Sequence, residues 1–462
     1  MLMPTQNESN FNKLLTNGHS GKYLKVRFLW ARLAATGRGR TQPRSTPACH
    51  SVLMTYRCRL KNAEANRRPR TVKTPTPAAI DEETILNSQR QISTLAITLG
   101  ILIALATGAA QSQEAVKIGF ASPLTGPQAN YGKDNQNGAQ MAIDELNAQG
   151  LTIGGKAVKF QLQAEDDQAD PKQGPLIAQK LVDAKVAGVV GHFNSGVTIP
   201  ASSVYNEAGI PELSVSTNVK YTHQGFKTAF RLMADDDKQG TALGEYAIKT
   251  LKLKRLAVID DASAYGQGLA DSFEAAVKAS GGQVVKHEHT NDKAVDFNAL
   301  LTSIKAVKPD AIFFGGYDAQ AGPMARQMKL LGMNIPLMGG ETINSAKFIE
   351  LAGPAAEGNI ASTPGAALES RPGGKAFAAK YKTRYNQDIG LYTPYFYDGV
   401  MVIAAAMKAA NSTDPAKYLP ALARIKYPGV TADIEFDKNG DLTKGLLTIF
   451  EVKNGKWEVV SK

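Results

Sequence analysis

From Val116 onward, apolar residues alternate between short runs and stretches in which they recur every three or four positions. Residues 116–120 (VKIGF) form the first run and predict a strand. After a Gly/Pro-containing loop, Ala139, Ala142, Ile143 and Leu146 fall at i, i+3, i+4 and i+7, which predicts a helix with one apolar face. Further strands are expected at 158–162, 187–190 and 211–215, with helices at 174–182 and 198–207. The pattern restarts after Asp237: helix 240–251, strand 256–259, a helix carrying Leu269, Phe273, Ala276 and Val277, strand 283–286, helix 297–307, strand 311–314, helix 320–331 and strand 336–338. Strands alternating with amphipathic helices imply an α/β protein with parallel sheets built from right-handed βαβ units. Two such runs predict two doubly wound parallel-sheet lobes. No short repeat points to a solenoid.

In open α/β sheets, ligands sit beyond the carboxyl ends of strands, so the loops after the strands are where chemistry is sought. Residues 121–132 (ASPLTGPQANYG) lack G-x-G-x-x-G, which argues against a nucleotide cofactor. Residues 191–200 (GHFNSGVTIP) place Ser195 and Gly196 just ahead of a helix. That arrangement is either a plain N-cap or an anion site made of N–H donors and a hydroxyl. His192 stands alone, without partners at metal-ligand spacing, and reads as a structural histidine. Ser216, Thr217 and Asn218 add polar groups at a strand end. In the second run the strand ends lead to Asp260, Asp261 and Tyr265, to Gly315, Gly316 and Tyr317, and to Gly339, Gly340 and Glu341. Glu341 is either a solvated loop charge or a partner for a cation. Donors on one lobe and an acid with tyrosines on the other suit a zwitterion, because a buried charge must be paired.

Charge then divides the chain. Residues 1–113 carry 16 Lys/Arg and 5 Asp/Glu, which accounts for the whole net charge of +11, and the remainder is balanced at 37 of each. The basic character therefore gives the main body no footprint for nucleic acid. Both cysteines, Cys49 and Cys58, also precede the main body, so no disulfide framework holds it. Residues 1–88 are basic and Pro-punctuated and are expected to be a disordered extension, read either as a basic arm or as the product of a start site placed too far upstream. Arg90, the apolar run 92–106 and the small residues 107–112 have the grammar of a secretory signal. A membrane anchor is the alternative, and the small-residue end favours cleavage.

The blocks VKIGFASPLTGPQANYGKDNQNG, EDDQADPKQG, GVVGHFNSGVTIPAS, FRLMADDDKQG, DDASAYGQGLA, FFGGYDAQ and LMGGE occur in that order. With them, the chain from about Glu114 onward resembles the type I periplasmic binding proteins of the leucine/isoleucine/valine-binding branch. The resemblance implies two lobes joined by hinge crossovers, with 114–236 plus 366–445 in one and 237–365 plus 446–462 in the other. It implies that Ser195 binds a ligand carboxylate with Ser216 and Asn218 beside it, that Tyr317 and Glu341 hold an ammonium, and that Tyr265 and Tyr131 close from opposite lobes. Phe193 and Tyr392 would line the side-chain pocket. The implied partners are a small amino acid and the permease subunits of an ABC importer in the inner membrane, the protein itself acting as a periplasmic monomer without cofactor, metal or nucleic acid. Asn218 departs from the threonine frequent in that family. Ala169 and Asn194 replace the family's first-lobe disulfide and bring an amide toward the side-chain pocket. A short-chain amide, urea or aromatic acid therefore stays open as ligand, and so does a receptor role. An enzyme on this scaffold would need a nucleophile–base pair, metal cluster or phosphate loop, and neither G-x-S-x-G nor a Walker motif occurs.

Overall fold

The computed structural model describes residues 113–461. The basic extension read at 1–88 and the export segment read at 89–112 lie outside them. The first apolar run forms the middle of β1 (Glu114–Ser122). β1 lies inside a parallel sheet whose two faces are both covered, so it carries apolar residues on both, and Ile118 and Phe120 are wholly buried. The stripe Ala139, Ala142, Ile143 and Leu146 is the buried face of α1 (Ala129–Gln149). The chain continues through β2 (Thr152–Ile153), β3 (Lys156–Asp166), α2 (Gln173–Asp183), β4 (Val189–Val190), α3 (Ser195–Glu207), β5 (Glu212–Ser214) and β6 (Ala229–Arg231). The sheet order is β2-β3-β1-β4-β5-β6, parallel apart from the β2–β3 hairpin.

The second run gives α4 (Asp236–Glu245), β7 (Arg255–Asp260), α5 (Ala264–Ala279), β8 (Gln283–His289), α6 (Asn298–Ala306), β9 (Ala311–Gly315), α7 (Asp318–Leu330), β10 (Leu337–Gly339), α8 (Ala346–Ala352) and β11 (Ile360–Thr363). The chain then returns to the first lobe as α9 (Gly374–Tyr385) and α10 (Thr393–Ala409), the latter packed along α1 and touching β4 and β5. After α11 (Pro415–Leu422) and the small β12 (Tyr427–Pro428) and β13 (Asp433–Ile434) pair, β14 (Thr448–Lys453) and β15 (Lys456–Ser461) complete the second sheet. That sheet runs β15-β14-β11-β10-β9-β7-β8. It is mixed rather than wholly parallel, since β14 and β15 are antiparallel to their neighbours. The β14–β15 pairing follows from the Asn454-Gly455 turn, with φ of 52° and 70°, whose two residues can join only antiparallel strands.

Strand addition reverses direction between β1 and β4 in one sheet and between β7 and β9 in the other. These topological switch points open crevices at the strand ends. The loops leaving them carry Phe193 and Ser195 on one side and Tyr265 and Tyr317 on the other. At the second crevice two backbones touch. A Cβ on Gly266 would lie 2.4 Å from the Gly315 carbonyl oxygen, and one on Gly315 would lie 2.2 Å from that of Gly266. Only glycines permit that approach.

Candidate functional site

Ser195 opens α3, and Asn194 occupies the N-cap position without capping. The Asn194 amide nitrogen instead donates to Gln128 Oε1 (2.7 Å) and, across the lobes, to Tyr317 Oη (2.8 Å). The first-turn amides of α3 are thus left without a side-chain acceptor. Ser195 Oγ accepts from Ser216 Oγ (3.1 Å) and from the backbone N–H of Asn218 (3.4 Å). A hydroxyl has two acceptor sites and one proton, so the Ser195 proton is free to donate.

Opposite stands Glu341, buried at 3% exposure. It accepts from Gln239 Nε2 (2.6 Å) and Tyr265 Oη (3.0 Å). Burial raises its carboxyl above the ordinary range, and the hydrogen bonds, Gln239's foremost, partly offset that. Among the described residues, no cationic side chain figures in its main stabilising contacts.

Between these poles lies a narrow cavity of about 10 Å³ lined by Phe193, Ser195, Val215, Thr217, Tyr265, Tyr317, Glu341, Thr342 and Tyr392. That is about the space one water needs and far below the roughly 300–1,000 Å³ of drug-sized sites, so the side chains nearly fill the gap between the lobes. Phe193 meets Tyr392 edge-on at 4.7 Å, and Tyr265 and Tyr317 lie 5.4 Å apart, so aromatic faces from both lobes form the wall. Such faces also attract cations. The Tyr392 hydroxyl is buried beside Glu341, and that burial, then the charge of Glu341, raise the phenol above its ordinary range.

Of the residues singled out in the sequence, Tyr131, Ser216 and Asn218 stand one layer behind this wall. Tyr131 stacks on Phe193 at 5.2 Å and donates to Asp318 Oδ2 (2.5 Å) and the Thr342 carbonyl (2.8 Å) of the other lobe. Ser216 backs Ser195. The Asn218 side chain caps the turn Val219–Tyr221 through Lys220 N–H (3.0 Å) and reaches over to the Ala264 carbonyl (2.6 Å). Behind this strip, the fully buried Arg231 donates to the carbonyls of Ser216 and Asn218 (2.8 Å each) and pairs with Asp441 (2.8 Å). His192 is buried between Asp167 (2.7 Å) and Tyr205 (3.2 Å).

Sequence reasoning named Thr217 only among the polar groups at a strand end, and it missed the linings Val215 and Thr342 and also Asp236. The Asp236 carboxylate is buried, with 1% of the residue exposed. Burial first, and then the charge of Glu341, push it well above the ordinary range, which favours its neutral form. The ADDD run at 234–237 held the signal, but only the fold distinguishes the buried aspartate from its exposed neighbours.

Residues 115–456 match the family model described as periplasmic binding protein. The chain belongs to the periplasmic binding protein family. An "Amino acid binding protein" of Pseudomonas aeruginosa is 37% identical over 77% of this chain and 94% of its own length. The "Leu/Ile/Val-binding protein homolog 1" of Brucella suis is 38% identical over 71% and 87%. The isoleucine complex of the branched-chain amino acid transporter substrate-binding protein LivJ from Streptococcus pneumoniae superimposes with a TM-score of 0.67 at 29% identity. It covers 76% of this chain and all of that one. Members of this family are substrate-binding proteins with two α/β lobes, as found here.

Proposed function

We propose that this protein is the periplasmic substrate-binding component of an ABC importer and captures an amino acid, branched-chain or related, between its lobes. The observation that carries the reading is Glu341, a buried carboxylate with no cationic partner among the described residues, facing Ser195 and the uncapped amides of α3 across the narrow gap between the lobes. An α-ammonium would pair with Glu341 beside Tyr317, and the α-carboxylate would take the Ser195 hydroxyl and helix N–H groups. Phe193 and Tyr392 would receive the side chain. Ser216 and Asn218 would act from behind, by orienting Ser195.

Binding is by hinge closure. A ligand that touches both lobes stabilises the closed form by its differential affinity. The closed form then docks on permease subunits of the inner membrane, the protein working as a monomer that performs no chemistry. Export would use the segment 89–112 as a cleaved signal. An unaccompanied aromatic acid fits poorly, since its carboxylate would leave Glu341 unpaired.

The test is a thermal-shift screen followed by calorimetry. An L-amino acid is compared with its deaminated acid and its amide. The zwitterion should raise the melting temperature while neither analogue does. Equal binding of the deaminated acid would remove the ammonium role from Glu341.

A further inference from the structure

We propose that Asp260, His287 and His289 form a binding site for a divalent transition-metal ion of the zinc class, separate from the interlobe cavity. His287 and His289 are two apart on the edge strand β8 and so share one face. Asp260 ends the adjacent β7 and pairs in register with His289. His287 Nε2 lies 2.9 Å and His289 Nδ1 2.6 Å from the same atom, Asp260 Oδ2. The three donor atoms lie within 4.8 Å of one another. Tetrahedral zinc, with bonds of about 2.0–2.1 Å, needs its donors roughly 3.3 Å apart, which small side-chain rotations achieve.

The hydrogen bonds of His287 supply an independent reason. Its Nδ1 lies 2.8 Å from Glu274 Oε2, while its Nε2 faces Asp260. Both partners are carboxylates, and a neutral imidazole has only one N–H. With that proton on Nδ1 and donated to Glu274, Nε2 presents a lone pair to Asp260, and a cation between them resolves the repulsion. Glu274 is itself held by Lys278 through its other oxygen. A carboxylate that fixes the far nitrogen of a ligating histidine is the usual second layer of a zinc site. Two imidazoles and one carboxylate select zinc, cobalt, nickel or copper over magnesium or calcium, which prefer all-oxygen sets. The His289 side chain is 61% exposed, so water has access to complete the coordination.

The purified full chain, stripped with a chelator, is titrated with cobalt chloride and read by visible d–d absorption. It should take up one equivalent more than the His287→Gln/His289→Gln double variant, and zinc should displace that equivalent. His289→Gln alone, a change at an exposed side chain, should weaken cobalt binding at least tenfold. Glu274→Gln should keep the stoichiometry and lose roughly tenfold or more in affinity. Circular dichroism verifies that each variant is folded. Equal cobalt uptake by the wild type and the folded His289→Gln chain, including none by either, overturns the site.

Discussion

Tyr131 of the first lobe donates its phenol proton to Asp318 of the second at 2.5 Å. Burial, and then the charge of Asp318, hold the phenol far above its ordinary range, so it remains the donor. The bond spans the two lobes. Tyr131→Phe removes it without touching the cavity wall, at a cost of about 1.5–3 kcal/mol for a hydrogen bond to a charged group. Faster amino-acid release in stopped-flow experiments is the expected result. Unchanged release with a closed scattering profile would show that the latch does not matter.

Glu341→Gln should abolish amino-acid binding by about 2–5 kcal/mol, because the ammonium would be buried unpaired. The same change should stabilise the unliganded protein, since it removes a buried carboxylate that lacks a cation. Calorimetry and urea denaturation on one variant should therefore move in opposite directions. A variant that loses both stability and binding would point to misfolding instead.

Acid should weaken binding earlier than an ordinary glutamate would dictate. Glu341 is raised when folded, so between the unfolded value of about 4.3 and the raised one the native state holds the extra proton. Stability of the unliganded protein then falls as pH rises through that window. Ammonium binding needs the ionised form, so affinity falls as pH drops through the same window. Calorimetry across the range should show the loss beginning above about 4.3. Glu341→Gln should erase the pH dependence along with the binding.

Ser195→Ala and Asn218→Ala should separate contact from support. The first removes a donor to the carboxylate and should cost about 1–3 kcal/mol of affinity. The second removes a turn cap and the bridge to Ala264, so it should act through lobe closure and the melting temperature. An Asn218→Ala loss that varied with ligand side chain would place its amide at the pocket after all.

Arg231→Met should destabilise the first lobe by about 3–5 kcal/mol, since it leaves Asp441 without its buried partner. Burial alone would raise Asp441, but Arg231 holds it below the ordinary range. Its contribution is thus present above the unfolded value and lost as pH falls through the lowered one. Denaturation of the wild type and variant should converge in strong acid.

The order of strands and helices was legible because buried parallel strands are written as apolar runs and their helices as stripes. The poles of the cavity were legible because Ser195 and Glu341 follow strands directly. Other features depend on distances that no local pattern contains. Asn218 looks like a contact residue until Ala264, in the other lobe, claims its amide. Asp236 sits in an acidic run in which only the fold decides which carboxylate is buried. The antiparallel β14–β15 edge was written in Asn454-Gly455, a turn signal that went unread. His287 and His289 show strand spacing, but Asp260 joins them only through β-sheet register.

The contact between Gly266 and Gly315 fixes more than a local turn. Each glycine lies within two residues of a cavity tyrosine, Tyr265 or Tyr317. Because the backbones already touch, these rings hang from a rigid frame whose gauge no side-chain exchange can reset. A variant library aimed at new ligands would gain little there. Diversity belongs on the opposite jaw, at Phe193, Val215 and Tyr392, where shape can change while the charged grip stays put.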